Sequence, residues 1–445
     1  MKKVITYGTY DLLHYGHVRL LERAKALGDY LIVGVTSDDF DKTRGKINVQ
    51  QSLMERVEAV KALGIADEII IEEYVGQKID DIKRYNIDIF TVGSDWKGYF
   101  DYLSEYCEVV YLDRTQGVSS TDLRSKARSL KFGLVGEGKI LRKVKKEAAL
   151  VNGLDITAVF SQDESICTDA EINGIFVAED YDSLLDNVDA IYVVSHPSVH
   201  YEQIKEALNK GKHVLCESPI VLNPEQLQDL YNTAGANGCI LMDAIKTAYS
   251  TAYNRLLLLV KSGKIGEVLS VDSTCTSLMD RKTFSAEESV WGSLHYWGPV
   301  ALLPIFQLLG TDYLEERMVV KASSLDSEFD EFVKVDFLYP AAAASIKVAV
   351  SAKSEGSLVV TGTEGYIYVP APWWKTDYFE VRFEDQRENK RYFYQLDGEG
   401  IRYMLVSFVK AIENGCFDYY VSRDVSCQIA QVMQDYVSGR NVSKI

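Results

Sequence analysis

Short apolar runs alternate with amphipathic segments along the first 130 residues. The apolar runs predict strands at 4–7, 30–35, 68–71, 89–92 and 108–112, and the segments between or after them predict helices at 18–27, 54–63, 78–85 and 120–129. Strands that are apolar throughout and alternate with helices are typical of a parallel sheet covered on both faces. The pattern therefore predicts an α/β domain over residues 1–129.

A second alternation begins at residue 130. Apolar runs predict strands at 132–135, 156–160, 190–194 and 213–216, with helices ending near residue 208 and beginning at residue 224. The pattern predicts a second α/β domain with a parallel sheet over residues 130–248.

Composition limits the class of protein and of partner. A chain of 445 residues with 47% hydrophobic content is long enough for two or three packed cores, so a soluble multidomain protein is expected. The formal net charge of -17 argues against a nucleic-acid partner and against an anionic membrane, because both require clustered Lys and Arg. Small molecules are the expected ligands.

The cysteines and the apolar runs bear on the compartment. The seven cysteines show neither CxxC nor Cys/His ligand spacing, which is typical of reduced thiols in a cytoplasmic protein, so no disulfide and no zinc site is expected. The N-terminus leads directly into a strand, and no apolar run approaches the roughly 20 residues that span a bilayer. We expect no export segment and no membrane segment.

Two histidines three residues apart, His14 and His17, lie where the first strand becomes a helix. The unpaired N–H groups and the dipole of a helix N-terminus favour anions, so imidazoles at this point indicate a phosphate site rather than a metal site. The alternative is that both are ordinary surface or core histidines, and further motifs argue against it.

Two of these motifs also follow predicted strands. Residues 114–121, Arg-Thr-Gln-Gly-Val-Ser-Ser-Thr, provide donors suited to a triphosphate, and residues 93–96 read Gly-Ser-Asp-Trp. With His14-Tyr15-Gly16-His17, these motifs resemble the H-x-G-H and R-T-x-G-I-S-T-T signatures of the nucleotidyltransferase superfamily, and of the glycerol-3-phosphate cytidylyltransferases in particular.

The resemblance implies cytidylyl transfer from CTP, with Mg²⁺ carried by the CTP phosphates and no dedicated set of protein ligands. The catalytic residues it implies are His14, His17, Arg114 and Lys46, with Arg44 as the alternative to Lys46. The nucleotide-binding residues it implies are Gly8, Thr9, Tyr10, Asp11, Gly16, Arg56, Gly93, Asp95, Trp96, Ser119, Ser120 and Thr121. Because the attacking phosphate is already ionised, donors that position and neutralise charge matter more than a general base.

In the second region a Gly-Glu-Gly-Lys-Ile turn at 136–140 follows a strand. This turn, together with 192–200 and 211–219, resembles the NAD(P)-dependent family of glucose-fructose oxidoreductase, inositol dehydrogenase and rhizopine catabolism (Gfo/Idh/MocA). Residues 261–268 match its usual passage into a C-terminal α/β sheet domain, here 249–445. The cofactor-binding residues that the resemblance implies are Gly136, Gly138, Lys139, Ile140, Ser161, Ser195, Pro197, His200 and Glu217. Ser161-Gln162 lacks the acidic residue expected for the ribose of NAD, which favours NADP.

The same region departs from its family at the catalytic positions. Ser218 replaces the lysine of the E-K-P motif, Tyr296 and Val300 flank Gly298 where an acidic residue and a His or Tyr are expected, and Leu141 replaces a small residue. One interpretation is that Lys246, His295 or Tyr296 has taken over proton transfer to a ketose carbonyl. The other is that the domain no longer transfers hydride and acts as a scaffold, a dimerisation surface or a sugar-phosphate sensor.

The two resemblances together predict a cytidylyltransferase that acts on a sugar or polyol phosphate. We expect a CDP-alditol for a cell-surface polymer such as a capsule or teichoic acid, and a homodimer. The alternatives are a bifunctional enzyme that also reduces a ketose phosphate or CDP-ketose, and a second domain that binds a separate reductase. The residues do not identify the acceptor.

Overall fold

A computed structural model describes residues 1–445 except 12, 14, 39, 41–48, 50, 52, 75, 114–128, 152, 280–291, 324–328, 395, 397 and 416–419; the side chains of Asp95, Lys139 and Asn414 are also outside the description. The chain forms two compact units, Met1–Ser129 and Leu130–Ile445. We call them the first and the second unit.

The first unit contains a five-stranded parallel sheet in the order β3-β2-β1-β4-β5. Its strands are β1 Lys3–Gly8, β2 Tyr30–Thr36, β3 Glu68–Glu72, β4 Ile89–Gly93 and β5 Glu108–Leu112. Its described helices are α1 Tyr15–Lys25, α2 Leu53–Ala62 and α3 Gln77–Tyr85, with 3-10 turns at Ser94–Trp96 and Asp101–Glu105.

Neighbouring residues of a strand point to opposite faces of a sheet, and here both faces are covered. Val4 of β1 lies in one core cluster with Leu21 of α1, whereas Ile5 lies in another with Ile82 of α3. Each face therefore has its own apolar core, which explains why the central strands are apolar at successive positions.

The second unit begins with a six-stranded parallel sheet in the order β11-β10-β9-β6-β7-β8. The strands are β6 Leu130–Val135, β7 Leu154–Phe160, β8 Phe176–Val177, β9 Ala190–Val193, β10 His213–Cys216 and β11 Leu241–Asp243. The helices are α4 Lys139–Ala148, α5 Glu164–Ile172, α6 Tyr181–Asp186, α7 Pro197–Asn209 and α8 Pro224–Ala236.

A nine-stranded mixed sheet follows, in the order β19-β18-β17-β16-β12-β15-β14-β13-β20. The strands are β12 Val268–Thr276, β13 Glu315–Ala322, β14 Asp330–Leu338, β15 Ala343–Ala349, β16 Leu358–Gly362, β17 Tyr366–Val369, β18 Tyr378–Arg382, β19 Lys390–Phe393 and β20 Val442–Lys444. The helices are α9 Thr251–Lys261, α10 Ser293–Leu309, α11 Ile401–Asn414 and α12 Arg423–Val437, with short 3-10 turns at Lys246–Tyr249, Trp373–Lys375, Gln386–Glu388 and Gly398–Gly400. The buried helix α10 packs on one face of this sheet, against β12, β14 and β15.

The predicted fold class is confirmed: two parallel-sheet α/β regions precede a further sheet-rich region. Helix α1 starts at Tyr15, three residues before the predicted start at 18, because its first turn holds an exposed tyrosine, a glycine and a histidine, which do not continue the apolar pattern. The helix predicted at 120–129 lies outside the described residues except for its last position.

Among the described helices, none is long and apolar enough to cross a membrane. Six cysteines are described and each is a free thiol, whereas Cys416 is outside the description.

Candidate active sites

In the first unit the chain turns sharply after β1. Tyr10 has a left-handed backbone with φ of 54° and a side chain that is 2% exposed, packed into the core shared with Leu21 of α1. A Cβ atom on Gly8 would lie 2.9 Å from Cζ of the Tyr10 ring, which is too close for a side chain. The turn therefore requires glycine at position 8 and places the start of α1 at the carboxyl end of β1.

His17 lies in the first turn of α1, at this end of the sheet. Its ring is partly buried and meets the Tyr10 ring edge-on, with centroids 5.6 Å apart and an interplanar angle of 71°. The buried tyrosine thus fixes an imidazole beside the unpaired N–H groups of a helix N-terminus, an arrangement that suits a phosphate. Gly16 precedes it in the same turn, and His14 is outside the described residues.

Arg56 of α2 is fully buried and holds several loops together. Its Nη1 donates to the carbonyl oxygens of Thr9, at 2.6 Å, and Thr36, at 2.8 Å, and its Nε donates to that of Gln51 at 3.1 Å. Its Nη2 pairs with the carboxylate of Asp38. These bonds make Arg56 a positioning residue for the loops after β1 and β2, and a direct contact with nucleotide stays a prediction.

Asp11 and Trp96 are two further predicted nucleotide-binding residues whose side chains are described. Asp11 is buried, and its Oδ1 accepts a hydrogen bond from the amide of Gln51 at 3.0 Å, so it ties the first turn to the loop before α2. Trp96 follows Gly93 at the end of β4 and packs edge-on against Tyr99, with centroids 5.5 Å apart. The side chain of Asp95 is undescribed, and Lys46, Arg114, Ser119, Ser120 and Thr121 lie in undescribed segments.

A buried polar cluster that the sequence analysis missed lies at the same carboxyl end of the strands. Glu72, at the end of β3, is 1% exposed; it pairs with Lys78 of α3 and accepts a hydrogen bond from Thr36 Oγ1 at 2.8 Å. Lys78 also lies over the Tyr7 ring, 4.5 Å from its centroid. A buried lysine is stable here because both a carboxylate and a ring face its charge.

A second part of the cluster fixes Tyr7 of β1. The Tyr7 hydroxyl donates to Asp81 Oδ2 at 2.8 Å, and the same oxygen accepts from Gln77 Nε2 at 3.1 Å. Burial, followed by Asp81, raises the pKa of Tyr7 far above its usual range. One part of this cluster has a signal in the sequence: Gln77 and Asp81 are four residues apart, which places them on the same face of a helix.

In the second unit the chain passes from β6 to α4 through two glycines. Gly136 has a φ of 106°, and a Cβ atom there would lie 2.8 Å from Cα of Ser195 and closer still to its amide nitrogen. Gly138 has a φ of 102°, and a Cβ atom there would meet no atom within 4 Å. The first glycine permits close packing on the end of β9, and the second leaves open space before a helix N-terminus.

The residues after this turn are only partly described. Lys139 is the first residue of α4, with its side chain undescribed, and Ile140 is partly buried. Leu141, which takes the place of a small residue, is 1% exposed and packed inside the unit. The turn and helix are therefore formed despite the larger side chain.

Four predicted cofactor residues follow β9 or β10 in the chain: Ser195, Pro197 and His200 after β9, and Glu217 after β10. Pro197 begins α7, and His200 of that helix is buried, with its two ring nitrogens 2.7 Å from the carbonyl oxygen of Ser195 and 2.9 Å from that of Ile220. Burial lowers the pKa of His200 to about 4, so the ring is neutral near pH 7 and its single N–H can donate to only one of these two oxygens at a time. Glu217, after β10, accepts a hydrogen bond from the Tyr192 hydroxyl.

Ser218 lies beside a buried carboxyl group. Its hydroxyl oxygen is 3.4 Å from Oδ2 of Asp243, and that oxygen also accepts from Ser426 Oγ at 2.9 Å. Burial raises the pKa of Asp243 to about 7. Where the resembled family has a lysine, the side chain here is a small hydroxyl that faces this acid.

The three predicted substitutes for catalytic residues occupy different environments. Lys246 is partly buried at the start of a 3-10 turn, and Tyr296 is 44% exposed and packs edge-on against Trp297. His295 is partly buried and meets the Tyr436 ring edge-on, with centroids 5.6 Å apart. Burial lowers the pKa of His295, the charge of Asp330 raises it, and the charge of His196, just before α7, lowers it further. His196, which the sequence analysis left out of its site, is thus within electrostatic range of His295.

Comparison with known proteins identifies the first unit. A family model described as cytidylyltransferase-like matches residues 5–126. The glycerol-3-phosphate cytidylyltransferase of Bacillus spizizenii is 52% identical over 130 residues, which are 29% of this chain and 100% of that protein. The chain belongs to the cytidylyltransferase-like family. The first resemblance drawn from the sequence is thereby confirmed, and with it nucleotidyltransferase activity.

The second resemblance is confirmed as well. An oxidoreductase family model with an NAD-binding Rossmann fold (Gfo/Idh/MocA) matches residues 130–244. An NADP(+)-dependent scyllo-inositol 2-dehydrogenase of Bacillus subtilis, IolU, is 30% identical over 131 residues, which are 28% of this chain and 40% of that protein. A crystal structure of KijD10, a 3-ketoreductase of Actinomadura kijaniata in complex with NADP and TDP-benzene, is 18% identical, with a TM-score of 0.63, and covers 72% of this chain and 100% of its own. At this identity the structural likeness establishes the fold.

A prediction for the cytidylyltransferase unit concerns Arg56. Replacing Arg56 by Met leaves the carbonyl groups of Thr9 and Thr36 buried without their donor, so we expect the free energy of unfolding of this unit to fall by about 2–4 kcal/mol. Differential scanning calorimetry of the whole chain measures the change. Lys61→Met on the same helix is the matched control, because its ion pair with Glu58 is exposed and is expected to contribute less than about 0.5 kcal/mol. Equal effects of the two variants would contradict the role given to Arg56.

A prediction for the second unit concerns the dependence of its stability on pH. Since the pKa of Asp243 is raised from 3.8 to about 7 in the folded chain, folding takes up a proton between these values. The free energy of unfolding is therefore higher at low pH and falls as the pH rises to about 7, by at most about 4 kcal/mol. Burial also raises the pKa of Glu316 to about 7, in the same direction. Calorimetry at about pH 5 and about pH 8 should show a smaller difference for Asp243→Asn than for the wild type; an unchanged difference would contradict the assignment.

Proposed function

We propose that the first unit transfers the cytidylyl group of CTP to the phosphate of a sugar or polyol phosphate. The observation that supports this most strongly is the fixed imidazole of His17, at the N-terminus of α1 beside the buried Tyr10. A phosphate oxygen of the acceptor attacks the α-phosphorus of CTP, the bond from that phosphorus to the bridging oxygen breaks, and pyrophosphate leaves. The acceptor is already ionised, so the protein positions the reactants and neutralises charge.

Within this proposal the charged, hydroxyl and aromatic groups of the site have separate roles. His14 and His17 donate to the phosphates and to the transition state, Lys46 and Arg114 neutralise the leaving pyrophosphate, and the Ser119–Thr121 hydroxyls hold its oxygens. Asp95 and Trp96 contact the nucleoside, and Arg56 and Asp11 hold the loops around it. Mg²⁺ enters bound to the triphosphate of CTP.

Pyrophosphate release tests the proposal. The chain is incubated with Mg²⁺, one nucleoside triphosphate at a time, and a panel of glycerol, ribitol, arabinitol, xylulose and mannitol phosphates. We expect release with CTP and one class of acceptor, and at least 10-fold less with ATP, GTP or UTP. Release with another nucleotide in preference to CTP would contradict the proposal.

We further propose that the product is a CDP-alditol for a cell-surface polymer such as a capsule or teichoic acid, made in the cytoplasm by a homodimer. The acidic chain and its likeness to glycerol-3-phosphate cytidylyltransferases support a small-molecule role.

For the second unit we propose that it binds NADP(H) or NAD(H) at the Gly136–Gly138 turn and has lost the usual residues of hydride transfer. The open space beside Gly138 at the start of α4 suits a pyrophosphate group, and the bound dinucleotide would supply a hydride. Ser218, Tyr296 and Val300 support the loss, because they stand where the family has a lysine, an acidic residue and a His or Tyr, respectively. Such a unit would serve as a scaffold or a sensor of sugar phosphates.

A bifunctional enzyme is the second candidate, favoured by the partly buried imidazole of His295 against the Tyr436 ring, because a group of this kind could exchange a proton with a ketose carbonyl. NADPH oxidation that depends on a ketose phosphate or a CDP-ketose would establish it. If the Ser218→Lys variant gained NADPH oxidation, that result would instead support the proposed loss of hydride transfer in the natural chain. Co-purification of a separate oxidoreductase would favour a scaffold.

A further inference from the structure

Three aromatic side chains meet near the start of helix α10. The Tyr296 ring is 44% exposed and packs edge-on against Trp297, with centroids 5.0 Å apart. Trp297 in turn lies against Trp374, with centroids 4.7 Å apart and an interplanar angle of 54°, and both indoles are partly buried. We call Tyr296, Trp297 and Trp374 the aromatic platform.

Hydrogen bonds and close packing hold the two tryptophans of the platform in place. Nε1 of Trp297 donates to Ser277 Oγ at 3.2 Å, and the carbonyl oxygen of Trp374 accepts from the Thr247 hydroxyl at 3.0 Å. A Cβ atom on Gly356 would lie 3.0 Å from the Trp374 ring, so the edge of this indole packs closely against the glycine backbone. A surface that is fixed in advance loses little conformational entropy when a ligand binds to it.

Trp373, the neighbour of Trp374, shows how the platform differs from the core. Trp373 is 1% exposed and packs on the Tyr253 ring, with centroids 6.2 Å apart. The platform instead leaves ring surface open to solvent, although an aromatic ring gains free energy when another apolar or aromatic group covers it. A ligand with a flat ring would provide that cover.

Lysines lie next to the platform in each of the three segments that hold it. Lys375 directly follows Trp374, and Lys246 precedes the threonine that bonds to the same tryptophan. Nζ of Lys353 donates to the carbonyl oxygen of Thr276 at 3.1 Å, beside the serine that holds the other tryptophan. Lys353 and Lys375 are exposed, so their ammonium groups can reach a ligand on the platform.

Carboxylates neutralise part of this charge. Glu399 pairs with both Lys375 and Lys143, so one carboxylate is shared by two lysines. The acidic residues within two positions of the three lysines in the sequence are Glu355 and Asp377, and both are exposed. With Lys143 the group contains four lysines and three acids, which leaves one positive charge in a chain of net charge -17. The surroundings of the platform therefore favour an anion.

We propose that the aromatic platform binds the cytosine ring of a cytidine diphosphate compound, and that Lys353 and Lys375 bind its diphosphate. Aromatic side chains stack on the face of a base, and a lysine ammonium is a common partner of phosphate. Polyol and ketose phosphates carry no aromatic ring, whereas a CDP-linked product combines a pyrimidine with two phosphates. The second unit would thus bind the product of the first. The inference rests on the proposed cytidylyl transfer and requires no hydride transfer.

Isothermal titration calorimetry of the whole chain with CDP and CDP-glycerol tests the platform. We expect about two equivalents to bind per chain, one in each unit. Tyr296→Leu and Trp374→Leu should each weaken one of the two sites by about 10- to 100-fold, and Lys353→Met should weaken the same site by about 3- to 10-fold. Phe176→Ala is the matched control, because Phe176 is also 44% exposed but lies on β8, and both sites should be retained.

The outcomes separate this inference from the function on which it rests. Pyrophosphate release by every variant should stay within about 2-fold of the wild type, since the platform belongs to the second unit. A single site in a wild-type chain that releases pyrophosphate, or two unchanged sites in both Tyr296→Leu and Trp374→Leu, would overturn the platform and leave cytidylyl transfer intact. A comparable loss of NADPH binding in Tyr296→Leu would assign the platform to the dinucleotide and also overturn the inference. A wild-type chain that releases no pyrophosphate would overturn the cytidylyl transfer itself.

Discussion

Replacing His17 by Ala is expected to lower the turnover of pyrophosphate release by about 10²- to 10⁴-fold. The imidazole is held over the N-terminus of α1 by the Tyr10 ring, and donors aimed at developing charge contribute most when they are fixed in advance. Because His17 is only partly buried, its loss should leave the fold intact. A coupled pyrophosphate assay measures the rate, and calorimetry checks the fold.

Arg19→Ala provides the matched control for this variant. Arg19 lies on the same helix, two residues further along, and its described ion pair is with the exposed Glu22. We expect turnover within about 2-fold of the wild type, since such surface pairs contribute little. Near-normal turnover of the His17 variant would contradict the assignment of the site.

Replacing Gly136 by Ala should disable the second unit and spare the first. The new Cβ atom would lie 2.8 Å from Cα of Ser195, on a backbone with φ of 106° that other residues rarely adopt. We expect a loss of roughly 3–5 kcal/mol in the stability of this unit and at least 30-fold weaker NADPH binding, with pyrophosphate release within about 2-fold of normal.

Gly174→Ala separates crowding from backbone strain. Gly174 also has a positive φ, of 68°, but a Cβ atom there meets no atom within 4 Å. Its cost should be about 1 kcal/mol, and NADPH binding should be retained. Equal damage from the two substitutions would show that contact with Val194 and Ser195, just after β9, is not what requires glycine at 136.

Features of the fold and of the site that depend on neighbouring residues could be predicted from the sequence. Continuous apolar strands indicated parallel sheets with both faces covered, and the histidine pair at the predicted start of a helix indicated a phosphate site. The family resemblance, rather than local pattern, gave Arg56 a role at the nucleotide. Its bonds to Thr9 and Thr36 depend on strands that are distant in sequence, and no periodicity reveals them.

Two further features arise only from tertiary packing. The Glu72–Lys78 pair is buried because β3 and α3 enclose it beneath Tyr7, although each residue alone would be expected at the surface. Asp243 accepts a hydrogen bond from the hydroxyl of Ser426, which is 183 positions away in the chain. The replacement of the family lysine by Ser218 was evident from the sequence, but the acid that it faces was not.

Mass spectrometry of the product formed from CTP, Mg²⁺ and the acceptor panel, with and without NADPH and NADH, tests the central claim most directly. A CDP-linked product whose mass is unchanged by reduced cofactor is expected, with the first unit as the only catalyst. A product that gains two hydrogens only with reduced cofactor would contradict the loss of hydride transfer, and the absence of any CDP-linked product would contradict the cytidylyl transfer itself.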